Sequence, residues 1–326
     1  MIQIDHLVKR FGKKIAVNDV SFTIKKGEIV GFLGPNGAGK STTMNMLTGF
    51  LSSTSGSAFI DGADILEDPL KAKKSVGFLP ELPPVYLDMT VNEYLSFVYE
   101  LKKCTLNKKK HIDEICDVTG IADVRKRLIK HLSKGYRQRV GIAQALIGNP
   151  KVLIFDEPTV GLDPKQVIEI RNLISTLGQD HTVILSTHIL TEAQAVCDRI
   201  IIINEGKIVA DEKRENLSSL ISGSRRYEVQ ICGPEKEVLS ELRRINGVAK
   251  VETEGRGDLD SVQYTVVSEP GLDVRKPLFN TLARNSWALI SIIPLGATLE
   301  DIFISLTSGK NKEEDAKSRK KTAARR

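Results

Sequence analysis

One segment, Gly34-Pro35-Asn36-Gly37-Ala38-Gly39-Lys40-Ser41, limits the fold of this chain more than any other. It follows an apolar run ending at Leu33 and opens a helical stretch over residues 42–47, which Gly49 is suited to close. A strand, a glycine-rich turn and a helix in that order make a phosphate-binding loop. Glycines let successive backbone N–H groups converge on a phosphate without Cβ clashes, and the helix N-terminus adds partial positive charge. The spacing assigns Lys40 to the β- and γ-phosphates of a nucleoside triphosphate and the Ser41 hydroxyl to Mg²⁺. Gly34, Pro35, Asn36, Gly37, Ala38, Gly39 and Thr42 complete the expected nucleotide cradle.

A second apolar run, Val152-Leu153-Ile154-Phe155, ends in Asp156-Glu157. Such a strand delivers carboxylates to the C-terminal edge of a parallel sheet, where ligands bind. Asp156 is expected to hold Mg²⁺, directly or through water, and Glu157 to orient and polarise an attacking water. A third run ends in Leu185-Ser186-Thr187-His188, so His188 reaches the same edge and can face the γ-phosphate. His6, His111, His131 and His181 read as structural.

These runs, with residues 28–33 and 199–203, alternate with helical stretches and predict a parallel sheet covered on both faces. Residues 2–7 and 17–24, extended by 58–62, alternate as an antiparallel layer. From about residue 90 to 130 a lysine-rich helical insertion is expected, with Tyr94, Phe97, Val98 and Leu101 facing its core. After about residue 220 the order becomes strand, helix, strand, strand, helix, strand, that of a ferredoxin-like module, with a last helix over residues 299–306. The expected division is a first domain over residues 1–220, a small domain over 225–308 and a basic disordered tail over 309–326.

At 326 residues, with 41% hydrophobic and 27% charged residues, the chain has room for one large and one small globular domain. Its apolar runs are far below the roughly 20 residues that span a bilayer, and its start lacks a basic region followed by an apolar stretch. A cytoplasmic location is expected. Cys104, Cys116, Cys197 and Cys232 show no metal or disulfide spacing and read as ordinary thiols. The net charge of +6 owes much to the tail, so no nucleic-acid partner is expected.

Across about residues 2–220 the chain resembles the ABC (ATP-binding cassette) ATPase family, with each motif in the family's order. Leu132-Ser133-Lys134-Gly135-Tyr136-Arg137-Gln138-Arg139 looks like the family signature, Asp163 in Gly161-Leu162-Asp163-Pro164 like its D-loop, His188 like its switch histidine, and Phe11 like the aromatic that stacks on adenine. The resemblance implies an α/β fold: a P-loop NTPase domain with a RecA-like parallel core, an antiparallel β-layer and a helical insertion, followed by the small α+β module. It also implies that two such domains sandwich ATP head to tail, Ser133 and Gly135 of one closing over the γ-phosphate held by the other. The sequence departs from the family at Lys134 and Tyr136, where Gly and Gln are usual, and at Glu81, where a glutamine usually touches the metal. A carboxylate is a good hard ligand, so Glu81 is expected to serve Mg²⁺.

One phosphate loop and one signature without a membrane span imply a separate membrane protein and a second copy of this chain, or a homologous subunit, as partners. The coupling surface is expected around Leu82, Pro83, Pro84, Val85, Tyr86 and Leu87 with the helical insertion. The small C-terminal module and the ending Leu299-Glu300-Asp301-Ile302-Phe303-Ile304-Ser305-Leu306-Thr307 resemble the ATP-binding subunits of bacterial ABC-2-type exporters. The alternative is a soluble ABC ATPase acting on the ribosome or DNA. Translation types usually carry two cassettes per chain, and repair types insert long coiled coils, for which sustained heptads are missing here.

Overall fold

The computed structural model describes residues 1–216, 226–257, 260–269 and 271–295. It divides into two compact units, Met1–Arg214 and Glu215–Arg326. The expected helix over residues 299–306 and the basic tail lie outside the described residues.

In the first unit, β1 (Ile2–Phe11) and β2 (Lys14–Ile24) form a hairpin that pairs Phe11 with Lys14 across its tip. β3 (Ile29–Leu33) is buried along its whole length and runs into the phosphate loop and α1 (Lys40–Leu47). β4 (Ser55–Ile60) and β5 (Ala63–Asp64) follow, then α2 (Pro69–Lys74) and β6 (Val76–Leu79). Next come α3 (Val91–Leu101), α4 (Lys108–Thr119) and α5 (Lys134–Leu146), then β7 (Val152–Asp156), α6 (Pro164–Leu177), β8 (Thr182–Thr187), α7 (Leu190–Val196), β9 (Arg199–Asn204) and β10 (Lys207–Lys213).

The strands sort into two sheets. One is antiparallel, in the order β2-β1-β4-β5. The other runs β10-β9-β3-β8-β7-β6 and is parallel except at its β10 edge. The continuous apolar runs of β3, β7 and β8 suit strands covered on both faces, whereas β1 and β2 alternate because only one face is buried. That face joins the parallel sheet in one core, where Ile2, Ile4 and Phe22 pack with Phe32, Ile154 and Ile201.

Caps written in the sequence fix the helices of the insertion. Thr90 and Glu93 form a reciprocal capping box at α3, and Asn107 caps α4, which ends on Gly120 in the left-handed region. The buried stripe of α3 is Val91, Tyr94, Leu95, Val98 and Tyr99. Phe97 and Leu101, expected in the core, are exposed instead. The observed stripe is counted from Val91 and includes Leu95, so Phe97, which fits the spacing counted from Tyr94, falls outside it and its ring meets Tyr86 edge-on at 5.5 Å; Leu101 is the last residue of the helix.

The second unit contains β11 (Arg226–Cys232), α8 (Glu235–Arg244), β12 (Val248–Arg256), β13 (Val262–Ser268), α9 (Arg275–Arg284) and β14 (Ala288–Leu295). Its sheet order is β12-β13-β11-β14 with every pairing antiparallel. Tyr227, Val229 and Ile231 from the sheet pack with Val238 and Leu242 of α8 and Leu278 and Leu282 of α9 in a core of their own.

Candidate nucleotide site

The site follows from strand order. β3, β8 and β7 are neighbours, with Leu33 paired to Thr187 and Asp156 to Ser186. The residues that follow the three strand ends are Gly34, His188 and Glu157, so they meet at one carboxyl edge of the sheet, where a crossover splits the connections and ligands bind.

Between β3 and α1 the chain wraps tightly. The Gly34 N–H donates to the Thr187 carbonyl at 3.3 Å, and the Gly206 N–H of the β9–β10 turn donates to the Ala38 carbonyl at 2.9 Å. Gly39 has φ 110° and lies so close to the Ala16 carbonyl that a Cβ would stand 2.6 Å from it, so only glycine fits. Lys40 is buried; its Nζ donates to the Gly34 carbonyl at 2.8 Å and lies 3.4 Å from Glu157 Oε1.

Glu157 has φ 49°, an uncommon value for a residue with a side chain. Its N–H donates to Ser186, to Oγ at 3.0 Å and to the carbonyl at 3.2 Å, which holds that conformation. The Ser186 hydroxyl in turn donates to Asp156 Oδ1. Glu157 Oε2 lies 3.0 Å from Nδ1 of His188, whose side chain is 40% exposed. One carboxylate thus spans a buried ammonium and a solvent-facing imidazole, a set able to polarise a water held between loop and histidine.

These groups open onto a cleft of about 480 Å³, lined also by Phe11, Lys14, Ala16, Asn36, Gly37, Ser41, Thr42, Glu81 and Val160. Its size is within the roughly 300–1,000 Å³ of small-molecule sites. Phe11, at the hairpin tip, is half exposed, with the Lys9 ammonium 5.2 Å from its ring centroid, so one ring face remains for a base. Gly34, Pro35 and Ala38 form the loop backbone behind this lining, and Asp156 lies buried beneath Glu157. The Ser41 hydroxyl and the Asp156 and Glu81 carboxylates are hard oxygen donors suited to Mg²⁺. Among the described residues no three His, Cys, Asp or Glu side chains cluster as a complete metal cage. Such a donor set suits an ion that takes its other ligands from phosphate and water.

Ser133, Gly135 and Asp163 do not line this cleft. Ser133 is exposed and caps α5, its Oγ accepting from the Tyr136 N–H at 3.3 Å; Asp163 caps α6 by accepting from the Gln166 N–H at 2.9 Å. The side chains at positions 134 and 136 both lie against other segments of the chain. The Lys134 ammonium occupies the space that a side chain on Gly161 (φ 66°) would fill, and the Tyr136 hydroxyl donates to Asp123 Oδ2 at 3.2 Å. Gln138, not singled out in the sequence, is buried and donates from Nε2 to the Pro158 carbonyl at 2.9 Å, beside Glu157. A polar residue about one turn into an otherwise apolar helical stripe was the available signal.

Residues 17–160 match the family model described as ABC transporter. The chain is 36% identical over 312 residues to the bacitracin transport ATP-binding protein BcrA of Bacillus licheniformis, covering 95% of this chain and 98% of that one. It is 32% identical over 315 residues to the linearmycin resistance ATP-binding protein LnrL of Bacillus subtilis (strain 168), covering 94% and 98%. A solved dimer of the ATP-binding cassette MJ0796 in a post-hydrolysis state with ADP and Pi superposes with a TM-score of 0.60 at 28% identity, covering 66% of this chain and 99% of that one. Similarity to such relatives along nearly the whole length of both chains, on a cleft with this geometry, makes the chain a member of the ABC transporter ATP-binding family, an ATPase that powers transport.

Proposed function

We propose that this chain is the motor of an ABC-2-type exporter and works at the cytoplasmic face of the membrane as a homodimer on a separate permease. Its Phe11 stacks on adenine, and the loop from Gly34 to Thr42 takes the phosphates with Lys40. Ser41, Asp156 and Glu81 would hold Mg²⁺, which would neutralise phosphate charge. Glu157 orients the attacking water and accepts its proton as the water oxygen bonds to the γ-phosphorus and the bond from that phosphorus to the bridging oxygen breaks, releasing ADP and phosphate; His188 holds the carboxylate and faces the γ-phosphate. Ser133, Gly135 and Asp163 act on the site of the other copy.

The observation that supports this reading best is the split just described. Lys40, Glu157 and His188 meet on one cleft, while the signature residues lie off it with Ser133 exposed. Export is favoured by similarity to proteins named for bacitracin transport and linearmycin resistance. The exposed side chains of Leu82, Tyr86, Leu87 and Phe97 supply an apolar surface for the permease. Among the described residues no helix is long and apolar enough to cross a membrane.

The test is Glu157→Gln. It should bind ATP, form a stable ATP-dependent dimer on size-exclusion chromatography and hydrolyse at least about 100-fold more slowly, the lower end of what a positioned base contributes. Near-normal turnover would remove Glu157 from its role.

A further inference from the structure

Glu192 is buried in the first turn of α7 and belongs to none of the motifs above. A carboxylate removed from water is costly unless partnered. Its partners here come from three different segments. Glu192 Oε2 accepts from the Thr159 hydroxyl at 2.6 Å and from the Thr187 hydroxyl at 3.3 Å, while Oε1 lies 3.6 Å from the Arg171 guanidinium. Thr159 follows Glu157 by two residues, and Thr187 immediately precedes His188. Arg171 lies on α6, the helix that Asp163 caps. The same Thr187 hydroxyl accepts from the Ile189 N–H at 3.1 Å, so the backbone on both sides of His188 is tied in.

One oxygen therefore joins the two segments that carry Glu157 and His188. These must stay within hydrogen-bond range of each other for the 3.0 Å Glu157–His188 contact to exist. We propose that Glu192 is a positioning residue for ATP hydrolysis: it clamps the segments bearing Glu157 and His188 in register and links them to the helix that Asp163 begins. It touches no reacting atom. Its effect is on the geometry of the step in which Glu157 takes the proton of the attacking water, and displacements of about 1 Å there cost up to about 100-fold in rate. The role rests on the assignment of Glu157 and His188 above; turnover retained by Glu157→Gln would fail that assignment, whereas the variants below test the clamp alone.

The experiment is steady-state ATPase kinetics of the purified full-length chain and its variants, each checked for folding by circular dichroism and thermal melting. Glu192→Ala should lower kcat by about 10- to 100-fold while KM for ATP moves less than about threefold, as expected for lost alignment rather than lost binding. Glu192→Gln keeps an oxygen that accepts from both threonines and should recover kcat to within about threefold of wild type. Thr159→Val and Thr187→Val should each lower kcat, and adding Thr159→Val to Glu192→Ala should cost little more, because both remove the same link. Losses that multiply in that double variant, a Gln variant as poor as Ala, or an effect confined to KM would each overturn the proposal. If Glu192→Ala does not fold, the two valine variants decide: unchanged kcat in both refutes the clamp.

Discussion

The nucleotide cleft and the N-terminal tip of α5 are built in opposite ways. Around the cleft, Lys40, Asp156, Glu157 and Ser186 are buried and bonded to one another, and His188 closes the set from the solvent side. At the tip of α5, Ser133 and Lys134 are exposed, and the Ser133 hydroxyl satisfies only its own helix. One region is preorganised within a single chain; the other offers a capped, positively polarised helix end with nothing of its own to bind. Under the function proposed above, burial and internal bonding mark the half of the machinery a chain completes alone, and exposure the half it presents to a partner.

Substitutions at the two ends should separate binding from closure. Lys40→Ala removes the buried ammonium and should abolish ATP binding, with hydrolysis down by at least about 100-fold, the scale of losing a charge-stabilising donor. Ser133→Arg should lose hydrolysis as severely yet still bind ATP on the isolated chain, as read by fluorescent-nucleotide titration. Ser133→Arg chains that no longer bind nucleotide would erase the contrast.

A smaller effect is expected where the two regions touch. Gln138→Ala breaks the bond from α5 to the Pro158 carbonyl and leaves that buried carbonyl unsatisfied. The cost in stability should be about 1–3 kcal/mol, with a several-fold drop in kcat, measured by urea melts and ATPase assays together. Unchanged kcat would mean that α5 and the loop after Glu157 move independently.

The smallest effect concerns the far end of α5. Lys102 donates to the carbonyls of Gln144, Ala145 and Ile147, and burial pushes its ammonium down from 10.5 to about 8. Between those values the unfolded chain carries more protons than the native one, so raising the pH favours the native state. Relative to Lys102→Met, wild-type stability should therefore rise by a few degrees in Tm between about pH 7 and about pH 9.5. A difference independent of pH would place the lysine in water.

The parts of the site most legible in the sequence are those whose chemistry is local. The phosphate loop, Asp156-Glu157 and His188 each sit at the end of an apolar run, and strand ends in a parallel sheet converge by topology. In α3 two overlapping sets satisfy the helical spacing, one counted from Val91 and one from Tyr94; only the burial of Val91 and Leu95 decides between them and leaves Phe97 outside, against Tyr86. The contact that Gln138 makes, and Glu192 itself, escape sequence reading for a different reason. Their partners lie 20 residues away at Pro158 and 33 at Thr159, and no local spacing announces a polar contact made across the core. The lysine and tyrosine at positions 134 and 136 depart from the family pattern, and only the fold shows the Lys134 ammonium beside Gly161 and the Tyr136 hydroxyl on Asp123.

The central claim, that this chain holds only half of each hydrolytic site, is tested most directly by mixing two inactive variants. A Ser133→Arg chain keeps a working phosphate loop, and a Lys40→Ala chain keeps a working signature, so a mixed pair contains one intact shared site. The account predicts that ATPase activity absent from either variant alone appears on mixing and scales with the heterodimer population. Activity in Ser133→Arg alone, or none in the mixture despite heterodimers shown by crosslinking, would contradict it.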